Sequence, residues 1–178
     1  MPIVENAEHV RQLIEKRKAS GWPIRRIIKE LQAISSQYSL EHATTAQLKD
    51  DEWWKKAIEI GEVALVGTME LFNICVTRNL GGKEAEKDGN LRKAIVLYED
   101  NVQDCFDGKF PYERLRIIYK KLGRDADAVR VMKAYLANEP IFDQVNAEKY
   151  KELIVKYGGQ LVDPPAPKRI DNGFWKSF

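Results

Sequence analysis

The chain is poor in the side chains from which metal sites and nucleophilic catalytic centres are built. Its 178 residues include only two His and two Cys. Cys75 and Cys105 lie far apart and belong to no CxxC motif, so the sequence supports neither a zinc site nor a dithiol redox site. We interpret both as reduced cysteines in the core of a cytoplasmic protein.

The sequence also lacks the motifs of the common enzyme classes. His9 and His42 have no HExxH or paired-ligand spacing, and neither a GxSxG motif nor a P-loop occurs. Glu59, Glu62 and Glu70 are the carboxylates that an apolar segment could bury, but no ExxH partner accompanies them. We therefore predict a protein that is not an enzyme, with no catalytic residue, no cofactor and no metal ion.

A large net charge of one sign is missing as well. Lys and Arg number 29 and Asp and Glu 27, far from the basicity of most nucleic-acid-binding proteins. The two ends of the chain are nevertheless basic and its middle is acidic. Arg25 and Arg26, in the second of two N-terminal helices, keep open an alternative function in contact with nucleic acid, although no recognition helix follows them.

No secretory signal is predicted, because the N-terminus has no basic segment followed by an apolar core. Residues 57–76 form the most apolar stretch, about as long as a membrane is thick, but they carry three Glu residues that are costly in lipid. We predict a core helix that is covered on several sides, and no membrane association. The sequence predicts that this helix ends at residues 79–82 and that residues 83–90 form an exposed charged loop.

The spacing of apolar residues is helical almost everywhere, which predicts an all-α fold of about seven helices. We expect one helical domain over residues 1–162. Within it, residues 1–50 contain an N-terminal helical hairpin and a connector, and residues 51–158 contain the remaining helices. A proline-containing tail follows over residues 163–178.

Residues 111–140 carry the most specific pattern of the chain. Large residues precede a turn glycine, a small residue follows it, and a proline closes the segment: Tyr112, Leu115, Tyr119, Gly123, Ala128 and Pro140. This order resembles the tetratricopeptide repeat, whose unit is two antiparallel helices. Residues 88–98 resemble half of a second unit, which an insertion at 81–88 would separate from its first helix. The resemblance implies a right-handed stack of helical hairpins.

The resemblance also implies that the first helix of each pair lines a groove that binds a protein or peptide. On residues 111–122, the side chains outside the packing stripe are Glu113, Arg114, Ile117, Lys120 and Lys121. Glu113 and Ile117 replace the Lys and Asn that hold a peptide carboxylate in such repeats, so we do not predict binding of a chaperone tail.

Aromatic residues outside the repeat pattern supply further candidate contact residues, namely Trp54, Phe174 and Trp175. Two simpler interpretations stay open. The side chains named on residues 111–122 would form a solvated polar face, and the three aromatic residues would pack within the chain. The sequence favours a protein–protein interaction module of unidentified partner, with a homodimer as one arrangement.

Overall fold

The computed structural model describes residues 4–138 and 144–161, apart from the side chain of Gln144, and in this part of the chain it contains seven α-helices and no β-strand. The all-α prediction is therefore confirmed. Two short 3-10 turns, Leu40–His42 and Gln47–Lys49, lie in the connector after the second helix. The helices are α1 Ala7–Ala19, α2 Ile24–Gln37, α3 Asp51–Lys87, α4 Leu91–Gln103, α5 Phe110–Lys121, α6 Asp125–Ala137 and α7 Gln144–Lys156.

The contacts within the chain divide it into two compact units, Met1–Thr77 and Arg78–Phe178, with the division inside α3. In the first unit, the buried faces of α1, α2 and the first part of α3 supply the core. Gly67 allows a close approach there, because a Cβ at this position would lie 2.6 Å from the Cδ1 atom of Ile14. The single domain over residues 1–162 stays a prediction.

The predicted end of the long helix at residues 79–82 is wrong, because α3 continues to Lys87. Gly82 is buried against α4, where a Cβ would lie 2.4 Å from the Tyr98 ring. The glycine therefore permits close packing of two helices and does not terminate one. The exposed loop predicted at 83–90 is wrong for the same reason: the chain turns only at residues 88–90, with a positive φ at Gly89. Residues 81–87, which were predicted to be part of an insertion, are helical and belong to α3.

The predicted covering of this helix on several sides is also wrong. One face is buried in the first unit through Ala57, Ile60, Ala64 and Leu71. The face about a third of a turn away is exposed, and it carries four large apolar side chains: Ile58, Leu65, Met69 and Phe72. The three carboxylates that the sequence placed on a buried helix, Glu59, Glu62 and Glu70, are exposed. By length and composition alone, α3 is the one helix among the described residues that could cross a membrane.

The core of the second unit is built from aromatic rings and small residues. Tyr112, Tyr119 and Ala128 are fully buried, and Gly123 makes the turn between α5 and α6 with a φ of 69°. The Tyr135 ring lies 5.2 Å from Tyr112 and 5.1 Å from Tyr150, measured between ring centroids. Two packed helices are present in the segment 111–140 as far as Asn138, where the first described range stops, as predicted.

The two cysteines differ in their surroundings, and neither forms a disulfide. Cys75 is buried, as predicted for a core residue. Cys105 is only half-buried, in the turn after α4, where it adopts a positive φ of 55°. The prediction of a core position for Cys105 is therefore wrong: the chain leaves α4 just before it.

Candidate partner-binding cleft

A cleft of about 470 Å³ opens in the second unit between the last turns of α3, the start of α4 and one face of α5. The cleft lies here because α3 continues past Gly82 to Lys87. The last, charged turn of α3 therefore lies alongside α5. The cleft has one acidic, four basic and two apolar lining residues: Lys83, Glu86, Lys87, Leu91, Phe110, Arg114 and Lys121.

Glu86 and Arg114 form the fixed part of this cleft. The Arg114 Nε atom donates to Glu86 Oε1 at 2.9 Å, and the Nη2 atom donates to the second carboxylate oxygen. The Tyr98 hydroxyl donates a hydrogen bond to Glu86 Oε1 at 2.8 Å. The hydrogen bond from Arg114 is the main cause that holds the pKa of Glu86 below its ordinary value. Burial is the main cause that raises the pKa of Tyr98, so this hydroxyl remains a donor at neutral pH.

The remaining lysines give the cleft a positive charge. Lys87 is paired with Glu84 at 2.7 Å, on the outer side of α3. Lys83 and Lys121 are exposed and form no ion pair among residues 4–138 and 144–161, although Lys83 interacts electrostatically with Glu84 and Lys121 with Glu86. Beside these exposed ammonium groups lie Leu91, which is half-buried, and Phe110, which is exposed. The cleft therefore offers cationic donors next to an apolar contact surface.

Two of the predicted groove residues, Arg114 and Lys121, line the cleft. They lie seven residues apart on α5 and so project from the same face of the helix. Ile117 lies between them and is half-buried, but it does not line the cleft.

The other two predicted residues of α5 take part in contacts on a different face. Glu113 accepts hydrogen bonds from Arg116 Nε at 2.9 Å and from the Tyr150 hydroxyl at 2.9 Å. Burial by itself would raise the pKa of Glu113, but these hydrogen bonds outweigh it and the pKa is lowered. Lys120 pairs with Asp125 at 2.8 Å. Glu113 and Lys120 thus stabilise the packing around α5 and do not line the cleft.

The aromatic candidates lie elsewhere in the chain. Trp54 belongs to the first unit, where its indole Nε1 donates to the carbonyl of Leu48 at 3.2 Å and its ring meets Trp53 edge-on. Phe174 and Trp175 lie outside the described residues. Trp54 is therefore not among the residues that line the cleft.

Sequence reasoning missed five of the seven lining residues: Lys83, Glu86 and Lys87 because they were assigned to a loop, and Leu91 and Phe110 because they were not singled out as contact residues. A signal for the first three does exist in the sequence. The segment Lys83–Lys87 consists only of good helix formers, and its charges are spaced for pairs on one helix surface. The following Asp-Gly-Asn is a turn sequence, and the Asn90 side chain caps α4 by accepting from the backbone N–H of Lys93 at 3.0 Å.

Some of the basic side chains of the N-terminal hairpin are engaged in contacts within the hairpin itself. The guanidinium groups of Arg17 and Arg26 stack on the Trp22 ring, 3.9 and 3.7 Å from its centroid. Arg17 is also paired with Glu30 at 2.7 Å. Contact between this hairpin and nucleic acid stays a prediction.

Comparisons with protein-family models, with curated protein sequences and with solved structures found no match to this chain. The resemblance to the tetratricopeptide repeat therefore stays a prediction that depends on the residues given above.

Proposed function

We propose that this chain is a non-enzymatic interaction module of stacked tetratricopeptide-like helical hairpins, and that its cleft binds an acidic peptide segment of a partner protein. The observation that carries the proposal is the pairing of exposed cations with an apolar surface in one cleft. Lys83 and Lys121 supply charge, while Leu91 and Phe110 supply the apolar contact.

The order of helices in the second unit supports the proposed stacking. The end of α3 packs with α4, α5 packs with α6, and α7 packs on α6. A short turn joins the two helices within each of the first two pairs. Each turn contains a glycine with positive φ, Gly89 between α3 and α4 and Gly123 between α5 and α6. In a stack of this kind, the first helices of successive pairs lie side by side, and the cleft lies between two such helices.

The chemistry of the cleft sets the expected ligand. Carboxylates of a peptide would pair with Lys83 and Lys121, each exposed contact contributing about 0.2–1 kcal/mol. One apolar side chain placed against Phe110 and Leu91 would add about 1–2 kcal/mol through burial. These contributions reach at most about 4 kcal/mol, so a dissociation constant of about 1 mM or weaker is expected for a short peptide. Because exposed charges contribute much of the binding free energy, the affinity of the peptide should fall as the salt concentration is raised.

The experiment measures fluorescence anisotropy of a labelled peptide, Glu-Glu-Phe-Glu-Glu, titrated with the full chain. Two reference peptides, Lys-Lys-Phe-Lys-Lys and Glu-Glu-Gly-Glu-Glu, separate the charge from the apolar contribution. The variant Lys83→Glu/Lys121→Glu reverses the charges of the cleft and leaves the Glu86–Arg114 pair in place. Its matched control, Lys55→Glu/Lys151→Glu, makes the same charge change at two exposed lysines elsewhere.

We expect the acidic peptide with Phe to bind, and the cleft variant to weaken this binding at least about tenfold while the control variant does not. Loss of the Phe should weaken binding too, since the apolar contact is then missing. Equal binding of the acidic and basic peptides, or an equal effect of the two double variants, would contradict the proposal.

A further inference from the structure

The exposed apolar face of α3 has a regular arrangement within the first unit. Ile58, Leu65 and Phe72 are spaced seven residues apart, and Met69 lies one turn after Leu65. Seven residues are close to two helical turns, so these four side chains form one stripe about 21 Å long. We call these four residues the α3 stripe. Their exposed fractions are 56%, 59%, 48% and 56% in the order Ile58, Leu65, Phe72, Met69.

The area of the stripe is that of a large apolar patch. At about 150–200 Å² for each whole side chain, the exposed fractions amount to roughly 400 Å² per copy, the size of the largest apolar patch on a typical monomer, and such a patch is often functional. The same helix already buries its other apolar face through Ala57, Ile60, Ala64 and Leu71. Ile58, Leu65 and Met69 are therefore additional to what the fold of the first unit buries.

We propose that the α3 stripe is a self-association surface, on which α3 of a second copy of this chain lies antiparallel around a two-fold axis at Leu65. In this register Leu65 contacts its own counterpart, and Ile58 faces Phe72 of the other copy. Met69 then falls opposite Gly61, where a Cβ would have no atom within 4 Å. The large and small residues of the stripe are thus complementary to the same stripe rotated by 180°, as a two-fold interface requires.

A lipid surface is a poorer occupant of the same face. Glu62 is exposed and lies close to Met69 on the helix circumference, with Glu59 and Glu70 further round. A bilayer that buried the stripe would have to desolvate carboxylates near it, at a cost of several kcal/mol. Between two helices, the Glu62 carboxylate can remain in water at the margin of the contact.

The area also sets the strength of the dimer. Two stripes bury about 800 Å², which is below the lower limit of about 1,200 Å² for specific complexes of standard size. The dimer should therefore be weak, with a dissociation constant of micromolar order, and should exchange with monomer.

Sedimentation velocity of the full chain from about 5 to 300 µM tests this inference. The variant Leu65→Lys places two ammonium groups face to face at the two-fold axis and should weaken the dimer at least about tenfold. Val66→Lys is the matched control, because Val66 is 53% exposed on the same helix but lies about 100° round from the stripe. Circular dichroism establishes that both variants keep their helix content.

A cross-linking measurement tests the register. In a Cys105→Ser background, Leu65→Cys should form a disulfide-linked dimer under mild oxidation. Ile58→Cys should do so only when mixed with Phe72→Cys, since the antiparallel register separates identical positions other than Leu65. The background chain without an added cysteine gives the reference level of cross-linking.

A concentration-dependent dimer that Leu65→Lys abolishes and Val66→Lys retains, with the stated cross-links, supports the inference. A chain that is monomeric at about 300 µM overturns it, as does a dimer that both lysine variants weaken equally. Flotation of a monomeric chain with phosphatidylcholine–phosphatidylglycerol vesicles would assign the stripe to a lipid surface instead. None of these results depends on peptide binding in the cleft.

Discussion

Gly82→Ala tests the close packing of α3 on α4, on which the position of the cleft depends. The added Cβ would lie 2.4, 2.6 and 3.0 Å from three atoms of the Tyr98 ring. Favourable contacts between carbon atoms lie at about 3.5–4.0 Å, so the ring or the helix must move by about 1 Å. The ring cannot move freely, because it is fully buried, its hydroxyl is bonded to Glu86 and its edge contacts Phe110.

Two opposing terms determine the magnitude. Overpacking of a well-packed core costs about 1–3 kcal/mol, and the restraints on Tyr98 favour the upper half of this range. Replacing glycine by alanine inside a helix contributes about 1 kcal/mol in the opposite direction. We therefore expect Gly82→Ala to lower the free energy of unfolding by roughly 1–2 kcal/mol. For a chain of this length, that corresponds to a fall of about 2–8 °C in Tm.

The assay is urea unfolding followed by circular dichroism at low micromolar protein, with two control variants in the same helix. Gly61→Ala has no atom near its new Cβ and should stabilise the chain by about 1 kcal/mol. Gly81→Ala meets only the end of the Leu97 side chain, at 3.2 Å, and should change stability by less than about 1 kcal/mol. If Gly82→Ala were as stable as Gly61→Ala, the close approach of Tyr98 would be wrong.

Two further predictions concern carboxylates of the second unit. Glu99 is almost fully buried, paired with Arg130 and bonded by the Tyr119 hydroxyl at 2.5 Å. Glu99→Gln keeps an acceptor for Tyr119 but removes the charge, so urea unfolding should show a loss of about 2 kcal/mol; a loss below about 0.5 kcal/mol would refute the pairing. The lowered pKa of Glu86 stabilises the fold above its unfolded pKa of about 4.3, and this contribution is lost as pH falls through the lower pKa of the folded state. The difference in unfolding free energy between the native chain and Glu86→Gln should therefore be constant above about pH 5 and shrink below pH 4; a difference that stays constant to pH 3 would contradict the role of the Arg114 pair.

Local sequence signals were sufficient wherever one residue decides the conformation. The turn at Gly123 was predicted because a glycine readily adopts a positive φ, and Ala128 was predicted at a helix contact because only a small residue fits there. The start of α3 rests on an equally local contact, because the Asp50 side chain accepts from the backbone N–H groups of Glu52 and Trp53. These signals are short-range, so a single sequence contains them in full.

The errors share a different cause, since each depended on what lies across from a residue in space. Gly81-Gly82 carries the same local signal whether a helix ends there or meets a tyrosine ring, and only the packing of Tyr98 distinguishes the two cases. Glu99 was not singled out, because nothing in its neighbourhood along the chain shows that Arg130 and Tyr119 will surround it. The cleft was missed on its α3 side once that helix was assumed to end early.

The sequence by itself determined the all-α class, the main helical segments and the turn that joins α5 to α6, because backbone preferences and apolar periodicity act over a few residues. Only the tertiary structure decided that α3 runs to Lys87 and that one of its apolar faces stays exposed. It also decided that Lys83 and Lys87 share a cleft with Arg114 and Lys121. Burial and the meeting of charges depend on which helices pack against each other, and periodicity along one helix cannot specify its neighbours.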